Sequence, residues 1–324
     1  MIKRLGALIT ALWLTSLGAH AGAQEHCGPG DERCIATGTW EVQLAVGAGL
    51  RTNPLADSDP IPLVVIPQVS YYGKRFFLDN LDLGYTLVDK PQWMLNALIT
   101  PGRDGLYFFR DDLGRFVLDG GLNLVGDASN PPTSGGDMDD APSSPDEGGE
   151  GSFDDPSPKP ADDPLESPAE QPSSTPPPLR ERDLSALAGL EASARLGGWD
   201  WQLQALTDVS GAHEGEELRF ALSRSTRARD NQFGLALGFS WKSAEVMEYY
   251  YGVTEGEASE QRPAYRPGSG ASPFVRLSWS RPASESWRWL GSVQYEHLSE
   301  AVRSSPLIDQ NQVMQIFVGG VYHF

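Results

Sequence analysis

The end of the chain alternates strictly between two kinds of side chain and finishes on an aromatic residue. One face of this final stretch carries Met314, Ile316, Val318, Gly320, Tyr322 and Phe324. The opposite face, with Gln315, Phe317, Gly319 and His323, is predicted to be polar. A period of two residues is typical of a β-strand that has one oily and one wet face. A last strand that ends on Tyr322 and Phe324 indicates the assembly signal of bacterial outer-membrane barrels, which alternate in this way.

Several other segments repeat this alternation. In residues 199–208 the side chains of Trp199, Trp201 and Leu203 share one face, while Gln202 and Gln204 share the other. Residues 40–50, 184–196 and 287–296 follow the same pattern. Such segments run for about 9 to 12 residues, which is the length of a tilted strand that crosses a bilayer. A soluble β-sandwich would use shorter strands of about 5 or 6 residues.

The fold class predicted from these segments is all-β, an antiparallel transmembrane β-barrel. Twelve strands are predicted, at 40–51, 62–72, 75–88, 92–100, 184–197, 199–209, 216–226, 231–241, 246–252, 272–281, 287–298 and 313–324. The segments 246–252 and 92–100 are the least regular, and a hairpin within 107–118 would add a pair. Ten and fourteen strands therefore remain alternatives.

The first 23 residues have the features of a cleaved secretory signal. Lys3 and Arg4 precede an apolar stretch at 5–17, and small residues follow. Cleavage after Ala21 or after Ala23 satisfies the small-x-small rule. The apolar stretch is shorter than the roughly 20 residues of a membrane-spanning helix.

Two cysteines lie in the following segment, residues 24–39. Cys27 and Cys34 are the only cysteines of the chain, and an exported protein meets an oxidising compartment. We expect them to form a short disulfide loop. A zinc site is disfavoured, because no second pair of ligands follows at zinc spacing.

The barrel, residues 40–324, is predicted to be interrupted by an acidic, proline-rich insertion at 127–183. This segment holds fifteen acidic residues against Lys159, Arg180 and Arg182, a balance of −12 in a chain of net charge −19, and thirteen of the 25 prolines. Such a composition buries too little apolar surface to fold and is typical of disorder. The twelve predicted strands place it after the fourth strand, on the periplasmic side, although long loops of these barrels usually lie outside.

No constellation of residues predicts catalysis, a metal or a cofactor. Of the histidines that remain after removal of the signal, His213, His297 and His323 share no sequence context with a nucleophile or a paired acid. The acidic balance opposes nucleic-acid binding, since phosphates would be repelled. Inward charges are expected to pair across the lumen or to line a pore, at Glu191, Arg195, Asp200, Arg276, Arg288 and Glu296.

A family resemblance rests on short motifs along the chain. Glu248–Val253 reads Glu-Tyr-Tyr-Tyr-Gly-Val, Ser305-Pro306-Leu307 follows 295–298, and the chain ends in Gly-Val-Tyr-His-Phe. With Phe76-Phe77 ahead of Gly84-Tyr85, these motifs resemble the MipA/OmpV family, which is named for interaction with the lytic transglycosylase MltA. The cysteine pair and the length of the acidic insertion depart from the family pattern.

The resemblance implies a non-enzymatic outer-membrane barrel, in some members a scaffold that joins a murein hydrolase to a murein synthase. Implied partners are outer-membrane lipid, the barrel-assembly machinery and these murein enzymes. A passive channel for small solutes or ions is one alternative, and a surface adhesin or stress-related coat protein that uses the acidic loop is another. The family-motif positions are interpreted as fold-determining residues at strand ends, and they are Tyr249, Tyr250, Tyr251, Gly252, Ser305 and Pro306.

Overall fold

A computed structural model describes residues 38–108 and 177–324, which form a closed antiparallel β-barrel of twelve strands. Each strand bonds to the next in the chain, and β12 closes the barrel on β1 with Leu44 opposite Tyr322. The strands are β1 Trp40–Arg51, β2 Ile61–Tyr72, β3 Phe76–Asp79, β4 Asp82–Lys90, β5 Trp93–Pro101, β6 Ala186–Leu196, β7 Trp199–Asp208, β8 Glu216–Ala228, β9 Asn231–Lys242, β10 Gly270–Pro282, β11 Trp287–His297 and β12 Gln312–His323. The predicted fold class and strand number are confirmed.

Two of the predicted segments nevertheless differ from the structure. One predicted strand is a helix and another is two strands, so the total number of strands is unchanged. The prediction of a strand over 246–252 is wrong, because Ala244–Tyr251 is a helix. Its buried residues Val246, Met247, Tyr250 and Tyr251 have the spacing of one helical face, which overrides the strand preference of the tyrosines. The predicted strand 75–88 is instead the hairpin β3–β4.

That hairpin turns at Asn80 and Leu81. Asn80 has a φ of 54°, a left-handed conformation that Asn tolerates better than most residues. Its backbone N–H and side-chain oxygen bond to Val69 on β2, at 2.9 and 3.2 Å. The local chemistry of Asn80 therefore divides one long predicted strand into two.

In the part of the chain that the structure describes, three short helices lie between strands, namely α1 Gly105–Phe108, α2 Ala244–Tyr251 and α3 Glu300–Arg303. Gly105–Phe108 falls where the alternative hairpin 107–118 was considered, and residues beyond 108 lie outside the described part of the chain. Among residues 38–108 and 177–324, no helix is long and apolar enough to cross a membrane.

The two ends of the barrel differ. The turn end carries both described termini and the tight connections 73–75, 91–92, 197–198, 229–230 and 283–286. Gly197 and Gly198 have φ values of 61° and 77°, as a two-residue hairpin of type I′ requires at both positions. The loop end carries the connections 52–60, 102–185, 209–215, 243–269 and 298–311, which include all three helices.

The described ends of the connection that contains the insertion, 102–108 and 177–185, both lie at the loop end. Because β3 and β4 are separate strands, the insertion follows the fifth strand and leaves the barrel opposite the termini. The expected position after strand four, on the side of the amino terminus, is thus corrected, and the conflict with the usual placement of long loops disappears. The signal peptide, Cys27 and Cys34, and residues 109–176 lie outside the described residues and stay predictions. Residues 177–183 are described, so the folded part resumes before the predicted boundary at 183.

The outer surface of the barrel is an apolar band. Exposed large hydrophobic side chains on the strands include Trp40, Val42, Val46, Leu50, Val64, Leu83, Leu190, Leu203, Leu237, Leu277, Val293, Met314, Ile316 and Val318. Exposed tryptophans lie toward the turn end at Trp40, Trp93 and Trp287, as expected for an interfacial girdle. The outward faces predicted for β1, β7, β11 and β12 are confirmed.

The inner surface is less uniform than the sequence predicts. Where β12 meets β1, the lumen side is apolar and is called here the apolar wall, which comprises Ala45, Leu63, Ile66, Leu290, Phe317 and Val321. Phe317 and Val321 have no solvent exposure, so the inner face of β12 was wrongly predicted as polar. Gly47 makes room for this packing, because a Cβ there would lie 2.3 Å from the Val318 carbonyl oxygen and 2.8 Å from the Phe317 ring.

Candidate functional site

The opposite side of the lumen carries charged and amide side chains among apolar ones such as Phe77, Met94 and Phe220, and it borders a cavity of about 220 Å³. We call this side the polar wall and define it by the charged and amide lumen side chains on β4 to β10. Its charged and amide members that border the cavity are Asp82, Asn96, Glu191, Asp200, Gln202, Gln204, Arg219 and Arg276, and Asp79 on β3 and Arg103 after β5 complete the lining. Acidic and basic side chains thus face one small space.

Glu191 on β6 is the centre of the acidic part. Its carboxylate accepts hydrogen bonds from Asn96 Nδ2 at 3.0 Å, Gln202 Nε2 at 2.7 Å and Gln204 Nε2 at 2.8 Å. These donors come from the two strands that flank β6, so antiparallel pairing places them beside the carboxylate. The amides hold Glu191 in place without neutralising its charge.

A second acidic group lies at the tip of the short hairpin. Asp79 and Asp82 are paired directly across β3 and β4, and both border the cavity. Like charges at opposed positions repel one another. The hairpin therefore adds negative potential to the side of the cavity that Glu191 already makes acidic.

Three arginines form the basic part of the lining. Arg219 on β8 is held by a two-pronged ion pair with Glu217, at 2.9 and 3.0 Å. Arg276 on β10 donates from Nε to Gln294 Oε1 at 2.8 Å. Arg103 reaches the cavity from the connection that follows β5. Burial and the positive charges of Arg219 and Arg276 lower the pKa of Arg103 to about 10.

The lumen is more open toward the turn end. On β7 the lumen-facing side chain of Gln204 is buried, whereas Gln202, two residues nearer the turn end, is exposed. Close to that mouth Arg195 pairs with Asp200 at 2.6 Å, and the Arg195 side chain is 44% exposed. Arg195 and Asp200 are neighbours on adjacent strands, so this pair does not cross the lumen as the inward charges were expected to do.

The loop end of the lumen is covered by a layer that we call the cap. Its apolar core consists of Tyr107, Val246, Met247, Tyr250, Tyr251, Leu298, Val302 and Val313, all buried. These residues come from α1, α2, α3, the start of β12 and the adjoining connections. Burial of so many apolar side chains stabilises the cap against opening.

Charged contacts fasten the cap to the barrel. Lys242, at the end of β9, lies 2.7 and 2.5 Å from the two carboxylate oxygens of Asp104, and the Tyr251 hydroxyl donates to the same carboxylate at 2.5 Å. On the other side, Arg51 Nη2 donates to the Tyr107 hydroxyl at 2.6 Å. Burial raises the pKa of Tyr251 well above its ordinary value, so its hydroxyl stays a donor.

The residues after the insertion are part of the cap. Arg182 donates to the carbonyl oxygens of Tyr249 and Gly252, at 3.1 and 3.0 Å, and lies 3.8 Å from Glu257. Glu257 also accepts from the backbone of Arg180 and Thr254. Despite burial, which opposes ionisation, these donors and the charge of Arg182 lower the pKa of Glu257 to about 2.

The family-motif residues meet in the cap. The Ser305 hydroxyl donates to the Tyr251 carbonyl oxygen at 2.6 Å, which joins two motifs that are far apart in sequence. The Tyr249 hydroxyl accepts from the Asp183 backbone at 2.9 Å, and the Tyr250 hydroxyl donates to the Asp183 carbonyl oxygen at 3.1 Å. Their expected place at strand ends is corrected, because Tyr249–Tyr251 lie on α2.

The remaining motif positions are close to these contacts. Gly252 ends α2, where a Cβ would lie 2.4 Å from the Glu248 carbonyl oxygen, and Pro306 adjoins Ser305 in the connection after α3. At the turn end Tyr322 and Phe324 form an edge-to-face ring pair at 4.8 Å. The assembly-signal residues and the cap motifs therefore lie at opposite ends of the barrel.

Neither the histidines nor the acids form a catalytic or metal-binding set in the described residues. His323 lies at the turn end near Glu41, whereas His297 and His213 lie at the loop end. His213 packs against the rings of Tyr249 and Tyr250. Within residues 38–108 and 177–324, no group of three His, Cys, Asp or Glu side chains could hold a metal ion.

Several important residues escaped the sequence analysis. Asp104, Lys242, Arg103 and Arg182 carry the cap contacts and the basic lining, and none was singled out. No local signal marks them, because their contacts join residues that are far apart in sequence, as in the pair of Lys242 and Asp104. Of the predicted inward charges, Glu191, Asp200 and Arg276 do line the cavity.

Comparisons with known proteins agree with the architecture. The family described as "MltA-interacting protein MipA" matches residues 44–324. The MltA-interacting protein of Escherichia coli (strain K12) is 34% identical over 89 residues, 27% of this chain and 36% of that protein. Outer membrane protein OmpV of Vibrio cholerae is 29% identical over 87 residues, 27% of this chain and 34% of OmpV. The chain thus matches about a third of the length of these curated relatives.

Among solved structures, the COG4313 outer membrane channel from Pseudomonas putida F1 aligns with 92% of this chain and 100% of that chain. The TM-score is 0.36 and the sequence identity is 11%.

Proposed function

The chain belongs to the MltA-interacting protein MipA family of outer-membrane barrels, and from this premise we propose that it is a non-enzymatic scaffold. Its partner is a murein lytic transglycosylase, which it binds at the turn end and brings together with a murein synthase. The E. coli relative is named for its interaction with MltA, and that name supports the choice of partner.

The turn end is the periplasmic end in this proposal. Outer-membrane barrels have short periplasmic turns and longer extracellular loops, and the described termini lie among the short turns. Murein enzymes work in the periplasm. A partner that acts on murein therefore meets the turn end, while the cap faces outward.

The surface charge of the turn end is the observation that carries the proposal. The net charge of the chain is −19, but among the described residues of the turn end the exposed basic side chains outnumber the exposed acidic ones. The basic ones are Lys74, Arg75, Lys90, Arg195, Arg227, Arg229 and Arg281, and the acidic ones are Glu41, Asp230 and Glu285. A patch of one sign steers a partner of opposite sign and sets its orientation. We expect the partner to present an acidic surface.

A binding assay with charge-reversal variants tests this role. The full chain in detergent micelles is immobilised, and a purified murein lytic transglycosylase is passed over it. The triple variant R75E/R229E/R281E is expected to bind about tenfold more weakly at low salt, since rim charges chiefly affect steering and salt dependence. The matched control is Arg266→Glu, whose side chain at the loop end is 83% exposed and whose change should leave binding as it was.

A second measurement concerns the scaffold itself. When a murein synthase is added, the three proteins should elute together in size-exclusion chromatography. If the wild-type chain retains neither enzyme, or if the turn-end and loop-end variants weaken binding equally, the scaffold proposal is wrong.

A passive channel is the second candidate, and the charged cavity favours it. The lumen opens toward the turn end, and charged side chains line its middle. The cap covers the other mouth, so conduction would require the contacts of Asp104 to open. Planar-bilayer recordings on wild type and D104N compare the closed cap with a loosened one. Absence of conductance in both proteins would exclude a channel.

A further inference from the structure

Three buried polar atoms along the cavity have no hydrogen-bond partner among the described residues. They are Nη1 of Arg219, Nε of Arg103 and Oδ1 of Asn96. Arg219 is 7% exposed and Asn96 is 3% exposed. Buried polar atoms are nearly always satisfied, because an unsatisfied one costs the desolvation of the group. These three atoms therefore indicate a partner that the polar wall is built to receive.

The unsatisfied donors lie on the basic side. Glu217 occupies Nε and Nη2 of Arg219 and leaves Nη1 unmatched. Arg103 feels the charges of both Arg219 and Arg276, and that repulsion contributes to its lowered pKa. An anion between Arg103 and Arg219 would accept from both and would relieve their repulsion. A carboxylate has two oxygens, so it can accept one charge-assisted hydrogen bond from each arginine.

The unsatisfied acceptor lies on the acidic side. Asn96 donates from Nδ2 to the Glu191 carboxylate, so its Oδ1 is left as an acceptor beside that carboxylate. Asp79 and Asp82 add negative charge to the same cavity. An ammonium group offers three donors and carries the charge that these acids attract.

From this complementary arrangement we infer that the lumen holds a binding site for a small zwitterion, an amino acid or short peptide. Its carboxylate binds Arg103 and Arg219, and its ammonium group binds Asn96 and Glu191. The cavity of about 220 Å³ can hold an amino acid or a short peptide but not a folded polypeptide. The site lies beneath the cap and is reached from the turn end.

This inference is independent of the scaffold role, because it concerns the lumen and not the turn-end surface. A chain that binds no murein enzyme could still bind a zwitterion, and the reverse is also true. The two proposals therefore fail separately.

The test is isothermal titration calorimetry of the full chain in detergent micelles with L-alanyl-L-alanine. Two further probes each lack one charge, namely N-acetyl-L-alanyl-L-alanine and L-alanyl-L-alaninamide. The zwitterion is expected to bind at least about tenfold more tightly than either probe, which is the scale of one charge-assisted hydrogen bond. Equal binding of the acetylated probe would show a plain anion site and would overturn the proposal.

Substitutions test separately the arginines that bind the carboxylate and the Glu191 carboxylate that binds the ammonium group. R103Q and R219Q should each weaken the zwitterion about tenfold or more, and E191Q should do the same while keeping the shape of the side chain. The matched control is Arg224→Gln on the same strand as Arg219, because Arg224 is exposed and does not line the cavity.

Folding is checked by the heat-dependent gel shift of barrels. R219Q leaves Glu217 unpaired, so R103Q and E191Q decide the outcome if R219Q does not fold. The proposal is overturned if the dipeptide gives no binding heat with wild type. It is equally overturned if R103Q and E191Q bind the dipeptide as wild type does.

Discussion

The two walls of the lumen are both made by antiparallel strands, yet their inner faces differ in chemistry. On the apolar wall, Phe317 and Val321 pack against Ala45 and Ile66 without solvent contact. On the polar wall, Glu191 and its amide partners border a cavity. One wall is filled like a protein core, while the other keeps space and charge.

This difference between the walls indicates that the apolar wall contributes stability and the polar wall contributes binding. β12 is the last strand to be made and must close on β1, so tight packing at that junction favours closure in one register. The polar wall lies on strands that pair with their sequence neighbours, and these can carry charges without endangering closure. We expect substitutions on the apolar wall to change stability and substitutions on the polar wall to change binding.

The largest effect is expected from Phe317→Ala. Removal of a fully buried ring opens a cavity beside Gly47 and costs about 3–5 kcal/mol of unfolding free energy. Urea titration followed by the gel shift measures it. Phe233→Ala is the control, because Phe233 is 45% exposed on the outer surface and its removal leaves no internal void. Equal losses in the two variants would contradict the core-like role of the apolar wall, and dipeptide affinity should be unchanged in folded F317A.

A smaller effect is expected from Asp104→Asn, where the cap meets the polar wall. The change removes the charge that Lys242 and the Tyr251 hydroxyl contact. Hydrogen bonds to charged groups contribute about 1.5–3 kcal/mol, so the cap should loosen by that amount while the strands persist. Hydrogen exchange of α2 measures this loosening, and Asp309→Asn, at an exposed loop-end position, serves as control. Unchanged exchange in D104N would show that the apolar core alone holds the cap.

The smallest effect is expected from pH, at the connection 209–215 of the loop end. Burial lowers the pKa of His213, and Lys242 acts in the same direction, against the attraction of Asp208, Asp104 and Glu217. The neutral Nδ1 accepts the Gly215 N–H at 3.0 Å. Above the ordinary pKa of about 6.5 the folded and unfolded forms are both neutral, whereas below it the unfolded form takes up the proton more readily.

Stability of the 209–215 connection should therefore fall as pH decreases below about 6.5, by less than tenfold in the opening equilibrium per pH unit. Limited proteolysis of the connection at pH 7.5 and 5.5 measures it. H213Q should remove the difference, while exchange rates on the apolar wall should not respond in either protein. Glu257 does not contribute between pH 5.5 and 7.5, because its pKa is about 2. A pH response that persists in H213Q would show that groups other than His213 cause it.

Features that depend on local sequence could be predicted, whereas features that depend on contacts between distant residues could not. Alternation is local, and it placed Trp201, Leu203 and Ile316 on the outer face as observed. The helix at 244–251 was missed because three tyrosines favour strands, while their burial in the cap depends on Tyr107 and Val302, which are distant in sequence. The lining at Arg103 and Arg219 could not be predicted, since their proximity arises only when β5 and β8 curve around one lumen.

The sequence by itself determined that this chain forms strands with an oily outer face, that about twelve of them make a barrel, and that the barrel belongs with the MipA/OmpV relatives. Alternation and end motifs suffice for this, because each strand faces lipid in the same way. Only the tertiary structure decided that the inner faces differ, that the motif tyrosines cap the lumen and that the insertion leaves from the loop end. The strand that ends at Phe324 shows both contributions. Its apolar outer face is predicted by the alternation of the sequence. The role of Phe317 on its inner face arises only from packing on Gly47, where β12 pairs with β1.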